Sequence, residues 1–145
     1  MREIVFRGKT PEKSYKGSRW IFGDLFRTSD AEYDGVAIQY YDEEDGWMTE
    51  NVIESTVGEH TSFYDTNGKP IYEGDILKCG NKKFEHIPYV VGFRFGLFEI
   101  RPNDQLLGST PMKYHLTIDC KSILKGWTII GNLHDNPEML KGDDK

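Results

Sequence analysis

The chain has 145 residues, 37% of them hydrophobic, with 15 Gly, 6 Pro and a formal net charge of −6. Val, Ile, Phe, Tyr, Trp and Thr number 46 against 15 for Ala, Leu and Met together, and the longest stretch free of both Gly and Pro is Met112 to Lys125. Side chains that suit a pleated sheet so outnumber good helix formers that a helix bundle is excluded, and the frequent breaks leave no room for the crossover helices of a doubly wound nucleotide-binding enzyme.

In chain order, Ile4 to Arg7 reads as a short strand, and the polar run Gly8 to Ser18 as an exposed loop or arm. Trp20 to Phe26 is the next strand, Asp30 to Gly35 a polar connection, and Val36 to Tyr41 a β-branched and aromatic strand. The acidic turn Asp42 to Gly46 leads into Trp47 to Ile53, and Asp-Gly between two such runs is a hairpin signal. A boundary is expected at Glu54 to Glu59. Beyond it, Asp65-Thr66-Asn67-Gly68-Lys69-Pro70 predicts a turn, because Asn-Gly tolerates the positive φ angles of a tight reversal. A second turn at Gly74-Asp75 runs into a strand ending at Cys79. Tyr89 to Arg94 and Leu97 to Arg101 form a hairpin about Phe95-Gly96. Met112, Tyr114, Leu116 and Ile118 alternate with polar residues, the period of a half-buried strand. Asp119 to Lys125 reads as one helical turn, Trp127 to Leu133 as a last strand, Asn136-Pro137 as the start of a short terminal helix, and Gly142 to Lys145 as a tail.

The architecture expected from these elements is mainly β. Short hairpins occupy residues 1–55, and residues 56–145 form a small SH3-like β-barrel or a strongly bent sheet, with at most a short C-terminal helix. No window approaches the 18 apolar residues of a membrane-spanning helix, and the first 17 residues lack the apolar core of a signal peptide, so a cytoplasmic protein with no membrane partner is expected.

Charge is uneven along the chain. Residues 1–23 carry six basic and two acidic groups, residues 24–75 two basic and fourteen acidic, and residues 76–145 ten basic and eight acidic. An acidic middle third repels phosphate backbones and is either a solvated face or a surface that meets a basic partner. Asp42, Glu43, Glu44 and Asp45, with Trp47 beside them, are its densest part and the candidate surface for a protein partner. Nucleic acid, the alternative, would have to use Lys78, Lys82, Lys83, Arg94 and Arg101 with Phe93 or Phe95, where bases could stack on the rings.

Chemistry beyond binding has little support. Cys79, His86, His115 and Cys120 offer a Cys-x6-His and a His-x4-Cys, looser than the first pair of a structural zinc site, so they are expected to be reduced thiols and ordinary histidines. No Gly-x-Ser-x-Gly elbow, Walker loop or Gly-x-Gly-x-x-Gly occurs, and no nucleophile, metal or cofactor is expected. The Asp42 to Asp45 acids could serve a metal-dependent hydrolase only if they converged, whereas consecutive acids in a turn are usually solvated. Asp75, after Gly74 and before a strand, reads as a turn-fixing acceptor.

The strings Met1 to Gly8, Trp20 to Phe26, Thr56 to Cys79, Val90 to Ile100 and Ile129 to Leu140 resemble, in order, the signature blocks of the YopX family of bacteriophage and prophage proteins. The most specific is Asp65 to Asp75, closed by Ile130-Gly131-Asn132 through Asn136-Pro137-Glu138. The chain departs from the pattern at Ser62-Phe63-Tyr64, where a shorter Gly-Leu type dipeptide is expected, and in longer loops around Asp30 to Asp45 and Gln105 to Met112. The resemblance implies no established biochemical activity. It implies a phage or prophage protein, β-rich and homo-oligomeric, in the cytoplasm of its bacterial host; the acidic middle third and the missing catalytic signature add the expectation of a non-enzymatic accessory protein that binds a host or phage protein. An aromatic excess in residues 20–64, more than small hairpins can bury, fits the expected homo-oligomer.

Overall fold

The computed structural model describes residues 2–29, 35–103, 114–115 and 123–141. Antiparallel strands and two short 3-10 turns make up its regular structure, and the chain divides into two compact units, Met1–His60 and Thr61–Lys145.

In the first unit β1 (Phe6–Lys9), β2 (Trp20–Thr28), β3 (Gly35–Asp42) and β4 (Gly46–Asn51) lie in the order β4-β3-β2-β1. The other edge of β1 pairs with the opening residues of β5 (Gly58–Tyr64), Phe6 opposite Glu59. β1 starts two residues later than its apolar run suggests and runs on to Lys9, with Phe6 opposite Gly23 and Lys9 opposite Trp20. One face of the sheet buries Ile21, Val36, Ile38 and Val52, with Phe6, Leu25, Tyr40 and Val57 packed against them. A 3-10 turn at Glu54–Thr56 leads into β5, where the Thr56 hydroxyl accepts the Lys9 N–H at 2.8 Å and donates to the Ile53 carbonyl at 2.6 Å.

In the second unit the rest of β5 pairs with β6 (Pro70–Tyr72). The strands β7 (Asp75–Cys79), β8 (Pro88–Arg94), β9 (Leu97–Pro102), β10 (Tyr114–His115) and β11 (Trp127–Asn132) form a sheet of order β10-β9-β8-β7-β11. Its core is Phe63, Ile71, Leu77, Ile87, Tyr89, Val91 and Ile100, with Tyr89 and Trp127 edge to face at 4.9 Å. Of the two expected architectures the barrel is not formed among the described residues. Closure would need β10 to pair with β11, and these lie at opposite edges of the sheet. A bulge between Ile129 and Gly131 bends β11 instead.

The turn residues have physical reasons here. The Asp65 carboxylate is fully buried and accepts the backbone N–H of Asn67 (2.9 Å), Lys69 (2.9 Å) and, across to β11, Ile129 (3.1 Å). One acid thereby fixes a tight turn and ties it to a strand 64 residues away. Asp75 accepts the Tyr72 N–H at 2.8 Å, the turn-fixing role expected of it. Gly131 is required because a Cβ there would sit 2.6 Å from the Asn136 side-chain oxygen, which itself accepts the Asn132 N–H. The expected terminal helix is realised as a four-residue 3-10 turn, Pro137–Leu140.

Ser62 stands where the family pattern leads one to expect Gly-Leu, and its φ is +71°, in the left-handed region that glycine favours. Its hydroxyl is buried without a hydrogen-bond partner. Most of the expected strand Met112 to Ile118, most of the helical turn Asp119 to Lys125 and the tail Gly142 to Lys145 lie outside the described residues. Among the described residues no helix is long and apolar enough to cross a membrane.

Candidate functional site

β2 serves two neighbours in turn. Its first residues, Trp20 to Gly23, pair with β1, and its last, Asp24 to Thr28, pair with β3. The β2–β3 ladder therefore stops at Asp24 opposite Gln39, although β3 continues alongside β4 as far as Asp42 opposite Gly46. Gly23 sits at the changeover, where a Cβ would lie 2.0 Å from the Gln39 carbonyl oxygen, so only glycine lets the two backbones approach there. Beyond that point Trp20 to Gly23 and Tyr40 to Asp42 line opposite sides of a groove of about 450 Å³.

The rim of this groove is aromatic. Trp47 is 68% exposed and Tyr41 63%, directly opposite each other on β4 and β3, with their rings edge to face at 5.5 Å. Phe22, 48% exposed, comes from the facing strand. The Arg7 guanidinium lies over the Trp20 ring at 4.8 Å.

Charges at the site are held in fixed patterns. Arg19 donates to Glu50 and, at 2.8 Å, to the Tyr40 hydroxyl, which in turn donates to Glu50. The hydrogen bond to Glu50 holds the Arg19 pKa above its ordinary value. Burial, reinforced by the Glu50 carboxylate, pushes the Tyr40 phenol up as well. Asp42 caps the acidic turn, accepting the backbone N–H of Glu44 (2.8 Å) and Asp45 (3.0 Å). The N–H groups of Asp45 and Glu44 hold the Asp42 carboxyl below the usual range. Lys16 pairs with Asp45 at 3.5 Å.

The structure thus gathers Asp42, Glu43, Glu44, Asp45 and Trp47 on one hairpin, β3–β4, and Asp42 and Trp47 line the groove. It does not gather the candidate nucleic-acid residues. Lys78 is opposite Pro88, at the start of β8, and Lys82 and Lys83 lie in the loop before it, whereas Phe93 and Arg94 are at its far end. Six residues of strand separate the two groups by about 20 Å. Arg101, opposite Val90 on β9, is held by Glu99 at 3.1 Å, and Phe98 is buried against Phe93. Among the described residues no three His, Cys, Asp or Glu side chains converge as a metal site. Cys79 is half-buried on β7 and His86 is exposed, while Cys120 and the side chain of His115 lie outside the described residues. Phe22, Asp24 and Gln39 also line the groove, and no sequence pattern at their own positions marks them as members of the site. The one available signal was Gly23, a glycine in the middle of an otherwise good strand, which marks a close backbone approach.

The family described as YopX protein matches residues 6–141. The chain belongs to this family. No curated protein matches it. Among solved structures it is similar to the crystal structure of protein EF1440 from Enterococcus faecalis, at 17% identity over 97% of this chain and 100% of that one, with a TM-score of 0.47. That likeness bears on neither activity nor partner.

Proposed function

We propose that this YopX-family protein is a phage or prophage accessory protein that acts by binding a host or phage protein and not by catalysis. Its working place is the host cytoplasm, and its contact surface is the aromatic and acidic face of β2, β3 and β4. The observation that supports this reading is the exposed pair Trp47 and Tyr41 on the acidic hairpin, facing Phe22 across the groove. Contiguous aromatic surface rimmed by charge marks protein contacts, and Trp and Tyr are the side chains that most often anchor them. Assembly into a homo-oligomer belongs to the same reading, since it covers further exposed apolar groups such as Phe26.

The test is light scattering on a sizing column, run on the wild type and on a Trp47→Ala/Tyr41→Ala double variant, each alone and with nuclease-treated lysate of a bacterial host. The wild type is expected to run above monomer mass and to gain further mass from the lysate, and the variant to lose that gain. Equal gains for both proteins, or no gain for the wild type from the nuclease-treated lysate, would remove the reading.

A further inference from the structure

We infer that the groove between β2 and β3 reads charge on the partner, taking a cationic side chain, arginine or lysine, between its aromatic rim and Asp24. The inference rests on the protein-binding reading above and names what the bound protein must present.

Shape comes first. The early end of the β2–β3 ladder opens a groove of about 450 Å³ between two interior strands of the sheet. Its walls are the two strands, with Lys16, Arg19 and the β4 residue Trp47 completing the rim.

The rings come second. Phe22, Tyr41 and Trp47 stand around the opening with their rings accessible. A cation within about 6 Å of such a face is attracted by the ring quadrupole, most strongly when the site is partly desolvated. β1 and β2 already make this contact internally, through Arg7 over Trp20.

The balance of committed and uncommitted charge decides the sign. Both cations of the groove are engaged, Arg19 by Glu50 and Tyr40, and Lys16 by Asp45. Asp42 is engaged by two backbone N–H groups. Asp24 lines the groove and makes no hydrogen bond or ion pair among the described residues, and Glu43 and Glu44 stand exposed on the adjoining turn. An anionic ligand would face Asp24 and Asp42 in the lining, with both of the groove's cations already engaged. An apolar one would strip water from Asp24 and leave its charge unpaired, at a real cost. A guanidinium or ammonium group meets both the rings and the carboxylate.

The experiment titrates the full-length protein with Nα-acetyl-arginine methylamide and follows amide and indole N–H shifts by NMR. The neutral isostere, Nα-acetyl-citrulline methylamide, and the acidic Nα-acetyl-glutamate methylamide serve as controls. Saturable shifts are expected at Phe22, Gly23, Asp24, Tyr41 and the Trp47 indole. Citrulline and glutamate should bind at least about tenfold more weakly, and Asp24→Asn should weaken the arginine probe by about three- to tenfold. Asp24 is an exposed side chain, and an unchanged spectrum elsewhere verifies that the variant folds. Equal binding of citrulline, stronger binding of glutamate, indifference to Asp24→Asn, or no saturation below about 100 mM would each overturn the inference. The broader reading is separable. If the arginine probe fails while the Trp47→Ala/Tyr41→Ala variant still loses its lysate partner, the groove's charge preference is wrong and the protein-binding surface stands.

Discussion

In the second unit, buried carboxylates hold the chain to itself. Asp65 binds three backbone N–H groups of a turn and a strand, Asp75 binds one, and Glu99 is buried against Arg101, all around a core of seven buried apolar residues. In the first unit the acids Asp42 to Asp45 stand on an exposed hairpin tip, the core cluster is Ile21, Val36, Ile38 and Val52, and the buried Glu50 carboxylate binds the side chains of Arg19 and Tyr40. The same residue types thus do different work. A carboxylate with backbone donors inside the fold secures local geometry, whereas one on a turn beside exposed aromatics is available to another molecule. The YopX signature falls most densely on the first kind, which is why family membership identifies the fold more readily than the task.

The largest effect that can test this contrast is Asp65→Ala. It leaves the N–H groups of Asn67, Lys69 and Ile129 without their acceptor and is expected to cost about 4 kcal/mol in chemical denaturation. Residue-resolved hydrogen exchange should show the loss in residues 61–141, and uniform loss over the whole chain would break the contrast.

Glu50→Gln comes next, at about 2 kcal/mol, because it leaves the half-buried Arg19 guanidinium without its carboxylate. Here the loss should appear within residues 2–60.

The two networks also respond to pH in opposite directions. Burial pushes Asp65 up, but the N–H groups of Ile129, Lys69 and Asn67 outweigh it and leave its pKa below the ordinary value. Its stabilisation is therefore complete above the unfolded value near 3.9 and is lost as pH falls from there through the folded one. The raised pKa of Tyr40 works the other way, giving stability that is complete below about pH 10 and lost as pH rises through the folded value. Hydrogen exchange or unfolding measured across pH should find the Asp65 acid limb in residues 61–141, abolished by Asp65→Asn, only a smaller acid limb from the exposed Asp42 in residues 2–60, and the alkaline limb in residues 2–60, abolished by Tyr40→Phe. One common limb for both units would refute the assignment.

A smaller effect, of opposite sign, is expected at the strained positions of the second unit. Ser62 at φ +71° and Phe95 at φ +54° hold conformations that glycine and asparagine adopt at less cost. Ser62→Gly and Phe95→Asn should each stabilise by about 1 kcal/mol. Phe95 is 92% exposed, so its replacement removes little packing.

The smallest change in stability belongs to Trp47→Ala. An exposed side chain on a hairpin contributes within about 0.5 kcal/mol, so thermal unfolding should hardly move. Combined with Tyr41→Ala, the same change should still abolish partner binding. Loss of fold in place of loss of binding would mean that the rings serve the unit's own packing.

Much of this was legible in the sequence. The hairpins at Asp45-Gly46 and Phe95-Gly96 and the turn at Asn67-Gly68 depend on backbone preferences within four or five residues, and each turn lies where its residues place it. The acidic hairpin with Trp47 could be named because its members are neighbours in the chain. The basic residues were harder. Lys83 and Arg94 are only eleven positions apart, yet β8 runs between them and holds them at its two ends. The groove was not legible, apart from Gly23, because it exists only where the pairing of β2 with β3 ends and that with β1 begins.

What the sequence determined alone is therefore the mainly β character, the turns, the family and the sign of the charge on each stretch, since all of these follow from composition and short-range backbone preference. The tertiary structure decided that the second sheet stays open among the described residues, that Asp65 reaches Ile129, that Ser62 is strained, and that Phe22 and Asp24 line one groove with Tyr41 and Trp47. Each of those depends on the register between segments far apart in the chain. That register is set by which apolar faces can be buried together, a property no short stretch of sequence contains.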